Sequence, residues 1–231
     1  MWLLCTGQPS CGKTTLVKKA LDRIIEWQES RAAKASQPKV DVSGFYTDEV
    51  LDVSGRRVGF DVVGVASKKR GILSRKNGIQ SSYKTGQYSV DVESFEGIAL
   101  SELDVLQSSQ TEVDACDKDA AIQIIILDEI GRMELHSKKF KAAVEKLLMH
   151  PNILLVGAVT APIYGHRVPF CDYITDGYEL KQHPMPVEVM RIKKSNRETV
   201  TRDYMEKLEV LLSELKGRDI EKSIKRRRTK K

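Results

Sequence analysis

Gly7, Gly12, Lys13 and Thr14 stand at the spacing GxxxxGK[ST] inside GQPSCGKTTL, residues 7–16. Each residue type has a chemical reason to be there. Glycines let the backbone curl so that successive N–H groups turn inward onto phosphate oxygens. A helix that begins at such a loop brings the positive end of its dipole to the same point. The lysine reaches β- and γ-phosphates, and the hydroxyl after it can bind Mg²⁺. The loop Gly7, Gln8, Pro9, Ser10, Cys11, Gly12, Lys13, Thr14 and Thr15 is therefore expected to wrap a polyphosphate. Cys11 is read as a small residue that fits the curve.

A second acidic motif decides what happens to that polyphosphate. In ILDEIGRME, residues 126–134, a continuously apolar run ends abruptly in Asp128 and Glu129. An aspartate at the end of a buried strand is where such a protein holds its metal shell, so Thr14 and Asp128 are the expected Mg²⁺ ligands. A carboxylate one residue further on is placed to orient or deprotonate a water. Glu129 is thus the candidate general base, and Lys13 its catalytic partner. DEIG also matches the DxxG of nucleotide switches, but no NKxD base-reading motif follows it. A small-molecule kinase shares the same cradle. Lys68, Lys69, Arg70 and Arg75 in the stretch 67–87 could belong to its lid. Arg57, Arg132 and Arg197 are candidates for neutralising charge on the transferring phosphoryl group. Asp48 and Glu49 are read as ordinary edge-strand charges.

These groups need elements to hold them. MWLLCT reads as a buried first strand. Leu16, Val17, Ala20, Leu21, Ile24 and Ile25 recur at helical spacing, predicting a helix from about Lys13 to Trp27. GFYTDEV and RVGFDVVGV around a Ser-Gly turn predict a β-hairpin. The Lys-, Ser- and Gly-rich stretch 67–87 is expected to be an exposed loop. YSVDV is a short strand, and a helix opens at Glu93 or Ser94. AIQIIILDEIG is the strongest strand, covered on both faces as in a parallel sheet. Phe140, Val144, Leu147 and Leu148 mark the next helix, and ILLVGAVTA another buried strand. Residues 162–187 show no period and are read as irregular. A last amphipathic helix runs through Val200, Tyr204, Leu208 and Leu215. The alternation predicts a mainly parallel α/β sheet flanked by helices, with an antiparallel hairpin added at one edge.

The chain has 231 residues, enough for one sizeable core. No apolar run approaches the ~20 residues that span a bilayer, and no leader is evident. Four scattered cysteines, Cys5, Cys11, Cys116 and Cys171, suggest reduced thiols and a cytoplasmic protein. The net charge of +6 is matched by Lys225, Arg226, Arg227, Arg228, Lys230 and Lys231 alone. Basicity therefore belongs to a tail, and the expected division is one domain over 1–216 and a disordered tail over 217–231. KRRRTKK could serve as a nuclear address or a nucleic-acid anchor, with the ATPase then incidental.

The set GQPSCGKTTL, GFYTDEV, GRRVGFDVV, GQYSVDVESFE, LDEIGRMEL and NRE resembles the cancer-related nucleoside triphosphatase family, also found in thermophilic bacteria and archaea. The likeness covers residues 2–205. It implies a single-domain RecA-like P-loop fold. It also implies slow Mg²⁺-dependent hydrolysis of nucleoside 5′-triphosphates to diphosphate and phosphate, with loose base selectivity; the expected partners are ATP, GTP, CTP and UTP, and the expected state is a monomer. Lys13, Thr14, Asp128 and Glu129 take the matching roles. Ala121, Ile122, Gln123, Ile124, Ile125, Ile126, Leu127 and Asp128 match the family's second nucleotide-binding segment. The chain departs from the family around 165–187, in its basic end, and at Ser10 and Cys11, where many relatives carry glycine and another small residue.

Overall fold

The computed structural model describes residues 1–32, 40–104, 123–150, 153–161, 167–175 and 186–229, with side chains described as far as Leu215. In chain order the elements are β1 (Trp2–Gly7), α1 (Lys13–Ala32), β2 (Asp41–Leu51), β3 (Arg57–Gly64), β4 (Arg70–Arg75), β5 (Lys84–Thr85), β6 (Tyr88–Val90) and α2 (Val92–Leu103). There follow β7 (Gln123–Ile130), a 3₁₀ turn (Glu134–His136), α3 (Lys138–Leu148), β8 (Ile153–Thr160), α4 (Pro169–Thr175), β9 (Val187–Arg191) and α5 (Arg197–Thr229).

One sheet takes all these strands, in the order β5-β6-β4-β3-β2-β7-β8-β1-β9. From β2 to β9 neighbouring strands are parallel, and from β2 to β5 they are antiparallel. β2 belongs to both halves. Its first part, Asp41 to Phe45, pairs with β7, and from Phe45 onward it pairs with β3. Gly44 sits at this transition with φ of +106°, and a Cβ there would lie 2.0 Å from the Ile126 carbonyl. Only glycine permits so close a pass between the two backbones.

Alternation along the buried strands sends side chains to two cores. Leu3, Cys5, Ile124, Ile126, Val156 and Ala158 meet Leu16, Val17, Ala20 and Ile24 of α1 and Tyr204, Leu208 and Leu212 of α5. Trp2, Leu4, Ile125, Leu127 and Leu155 meet Phe95, Phe140, Val144 and Leu147 on the opposite face. Phe45, Phe95 and Phe140 pack edge-to-face with centroids 5.2–5.6 Å apart, a preferred aromatic geometry. The Tyr204 hydroxyl donates to the Leu3 carbonyl at 2.8 Å, tying α5 to the strand that leads into the phosphate loop.

Several expectations change here. The stretch 67–87 contributes two strands, β4 and β5, to the sheet. Leu73 and Ser74 of β4 are buried, and Arg70 and Arg75 are paired with Asp61, Arg70 also with Asp48. Those arginines serve the sheet, and the basic lid is withdrawn. The antiparallel addition is four strands, larger than the hairpin. α2 opens one residue earlier than expected because Asp91 caps it, accepting from the Ser94 N–H at 2.9 Å. Within 162–187 the chain forms α4 and begins β9, short elements with no legible period. α5 continues to Thr229 through residues assigned to the tail, and side chains of that segment lie outside those described.

Candidate active site

β1 delivers the phosphate loop at the edge of the parallel strands, and α1 leaves it at Lys13. The turn is tight. Ser10 takes a left-handed φ of +59° and Gly12 a φ of +110°. Cys11 is buried, its N–H bonded to the Gln8 carbonyl at 3.3 Å. Lys13 is buried too. Its ammonium donates to the Gly7 carbonyl at 3.0 Å and the Gln8 carbonyl at 3.3 Å, and lies 3.7 Å from Glu129 Oε1.

The acidic pair sits at an irregularity in β7. Leu127 pairs with Gly157, yet Ile130 pairs with Val159, so β7 spends one residue more than β8 across Asp128-Glu129. Such a bulge re-aims side chains at a strand end. Asp128 points inward and is fully buried. Its Oδ2 accepts from the Thr47 N–H at 3.0 Å and the Thr47 hydroxyl at 2.5 Å. Its Oδ1 has no hydrogen-bond partner among the described residues. Burial pushes this carboxyl above its ordinary range, the Thr47 bonds pull it back, the Glu129 charge raises it, and Thr14 lowers it. A buried carboxylate oxygen left open beside a threonine hydroxyl suits a hard cation. Among the described residues no three His, Cys, Asp or Glu side chains group at metal-binding spacing. A divalent ion here would therefore draw most of its shell from phosphate and water oxygens, the usual habit of Mg²⁺.

Glu129 is partly exposed and accepts from the Thr160 hydroxyl at 2.7 Å. Glu134, from the 3₁₀ turn, is buried behind it. Burial first, then the charges of Glu129 and Asp128, push its carboxyl up to about 8.

Lys13, Thr14, Thr15, Glu129, Glu134 and Thr160 line one cavity of about 630 Å³, together with Gly7, Pro9, Ser10 and Gly12. Its far wall comes from the antiparallel strands: Glu49, Arg57, Phe60, Gln87 and Tyr88. All three candidate arginines, Arg57, Arg132 and Arg197, reach this cavity. Arg57 is engaged by Glu49 at 2.7 Å and the Tyr88 hydroxyl at 3.1 Å. Arg197 lays its stem over the loop, its Cδ 2.8 Å from where a Gly12 Cβ would stand. Asp48 and Glu49 are not edge-strand charges, because β2 lies inside the sheet between β3 and β7; Asp48 pairs with Lys18 and Arg70. Gln123, Ile124, Ile125, Ile126 and Leu127 lie inside β7 with buried side chains and do not line the cavity. Ala121 and Ile122 fall outside the described residues. Sequence reasoning missed Thr47, Thr160 and Glu134. Glu134 had a signal, a carboxylate in GRMEL soon after the acidic pair. The two threonines gave none.

Comparison with known proteins agrees with this geometry. The family model described as NTPase matches residues 2–205. The human cancer-related nucleoside-triphosphatase is 36% identical over 205 residues, covering 87% of this chain and 92% of that protein. The nucleoside-triphosphatase THEP1 of Aquifex aeolicus is 32% identical over 210 residues, covering 90% and 99%. The crystal structure of the Aquifex aeolicus THEP1 superposes with a TM-score of 0.63 at 30% identity, over 90% of this chain and 99% of that one. The solution structure of a human cancer-related nucleoside triphosphatase gives 0.61 at 33%, over 88% and 94%. With its phosphate loop, bulged acidic strand and mixed sheet in these places, the chain belongs to the NTPase family and has its P-loop α/β fold.

Proposed function

We propose that the protein is a Mg²⁺-dependent nucleoside triphosphatase that hydrolyses ATP, GTP, CTP and UTP to diphosphate and phosphate. One observation carries the reading: Lys13 and Thr160 converge on one carboxylate oxygen of Glu129 at the mouth of the phosphate loop.

Gly7 to Thr15 bind the polyphosphate through inward N–H groups and the start of α1. Thr14 and Asp128 hold the ion, which offsets phosphate charge when bound. Lys13 releases its loop carbonyls and turns to the terminal phosphate oxygens. Glu129 accepts a hydrogen from water and aims the oxygen at the γ-phosphorus, while Thr160 keeps the carboxylate from rotating. The bond from the γ-phosphorus to the bridging oxygen breaks, and the diphosphate leaves. Arg57 or Arg132, both lining this cavity, balances charge on the transferring group.

Phosphate release from the four nucleotides, compared in wild type, Lys13→Ala and Glu129→Gln, tests this. Turnover of several bases by wild type and arrest of both variants is the expected result. Glu129→Gln matching wild type would sink the assigned role.

The aromatic wall of Phe60 and Tyr88 beyond Glu129 favours one second reading, transfer to an alcohol instead of water. Stoichiometric phosphorylation of an added acceptor would support it. Nucleic-acid contact is assigned only to 225–231, and salt-sensitive binding that survives their removal would refute it. A cytoplasmic monomer with reduced thiols completes the reading. Cys5, Cys11 and Cys171 are buried and free, and no described helix is long and apolar enough to cross a membrane.

A further inference from the structure

The cradle fixes which end of a nucleotide faces which way. Asp128, Glu129 and Thr160 stand on its inner side, so the terminal phosphate points to them. The nucleoside then leaves on the opposite side, past Thr15. A second cavity begins there. It is a groove of about 800 Å³ between α1 and α5, lined by Thr15, Lys19, Arg197, Glu198, Thr201 and Met205 among others. It shares Gly12, Thr15 and Arg197 with the phosphate cavity, so the two are continuous.

We propose that this groove holds the ribose and base of the bound nucleotide. The inference rests on the nucleotide reading above and supplies the half of the ligand that the phosphate loop leaves unassigned. Arg197 stands at the junction. Its stem packs on Gly12, and its guanidinium makes no ion pair or hydrogen bond among the described residues. Its donors are left for the α-phosphate and ribose oxygens, a use suited to a planar fork. Met205 is half-buried against the α1–α5 core and offers a polarisable thioether to a base face.

A groove of this kind would give loose base selectivity. Its walls are helices, whose backbone groups are already used, as in Leu16 N–H to Gly12 carbonyl and Val200 N–H to Asn196 carbonyl. Besides the Thr15 and Thr201 hydroxyls, the remaining polar groups are the exposed ends of Lys19, Glu198, Arg202, Glu206 and Glu209, with Arg202 paired to Asp203 and Glu206, and Glu209 to Arg23. Strong discrimination between bases needs fixed donors and acceptors that a wrong base leaves unpaired. Exposed charges that already compete with water and with one another give a wrong base little to leave unpaired.

Calorimetric binding, with Mg²⁺, of adenosine 5′-(β,γ-imido)triphosphate and of inorganic tripolyphosphate separates the two halves of the ligand. Thr201→Trp fills the groove, and Met205→Ala removes its thioether without adding bulk. Thr201→Trp is expected to weaken the nucleotide analogue by about tenfold or more and leave tripolyphosphate within about twofold. Met205→Ala should follow the same split with a smaller loss. Equal weakening of both ligands, or of neither, overturns the groove, as does a wild type that binds the analogue no tighter than tripolyphosphate. Because binding is read without hydrolysis, a wild type that binds both ligands but releases no phosphate from ATP would refute the hydrolase reading and leave the groove standing.

Discussion

Thr160, the last residue of β8, donates its hydroxyl hydrogen to Glu129 Oε1 at 2.7 Å. The Lys13 ammonium stands 3.7 Å from that same oxygen. The carboxylate is therefore held from the end of β8 and from the start of α1 at once. Thr160→Val keeps the shape and deletes the bond. Its kcat should fall about tenfold with KM within about twofold, and Thr160→Ser should recover most of the loss. Steady-state kinetics on the three proteins decide it. A Val variant with wild-type kcat would leave Thr160 no part in positioning.

Glu129→Gln removes the acceptor for the water proton and little volume. Turnover should fall by roughly 10²–10⁴-fold while nucleotide affinity persists. Lys13→Ala should lose affinity and turnover together, because that ammonium serves ground and transition states alike. Binding and single-turnover measurements separate the two patterns.

Glu134 gives a pH signature. Its ordinary value is 4.5, and burial beside Glu129 and Asp128 pushes it to about 8. Between those values the unfolded chain has lost the proton and the folded chain keeps it. Stability from this group therefore declines as pH rises from about 4.5 to about 8, then levels. Glu134→Gln stays neutral throughout and abolishes that slope. Its stability advantage should grow with pH, reaching on the order of a few kcal/mol near the top of the window. Thermal melts of both proteins across this range would show a pH-independent gap if the carboxyl were ionised in the fold.

Glu102 is a structural counterpart. It is buried, and its carboxylate accepts from the N–H groups of Gly44 at 3.2 Å, Ala66 at 2.9 Å and Ser67 at 2.8 Å. Those bonds pin the end of β3 against the strand that carries Thr47. Glu102→Ala strands buried donors and should cost about 3 kcal/mol or more in denaturant melts. A loss under about 1 kcal/mol would mean that water takes over the three donors.

Ser10 holds a backbone conformation that suits glycine. Ser10→Gly should raise stability by up to about 1 kcal/mol, the relief of φ outweighing the added freedom of the unfolded chain. Equilibrium unfolding measures the sign directly.

The cradle, the acidic pair and the parallel half of the sheet were legible because each rests on local pattern. Gly7 to Thr14 is contiguous, and IIILDE is a buried strand ending in charge. The antiparallel half was harder. RGILSR carries two basic ends and a short apolar centre, which suggest solvent when read alone. Only its register with β3 and β6 buries Leu73 and Ser74. Thr47 and Thr160 are 81 and 31 residues from the carboxylates they hold. No spacing rule reaches across such separations. The bulge at Asp128-Glu129 was equally silent, since it exists only relative to β8.

β8 lies between the strand that ends in the cradle and the strand that ends in the base, and it pairs with both. The interval between the two strand backbones that carry those chemistries is thus two ladder spacings, about 10 Å, set by backbone hydrogen bonds. It works as a gauge block. Core residues can be exchanged and surface loops lengthened without changing it. A chain sharing only about a third of its residues with this one, as the human and Aquifex aeolicus proteins do, needs only the same three paired strands to keep that interval.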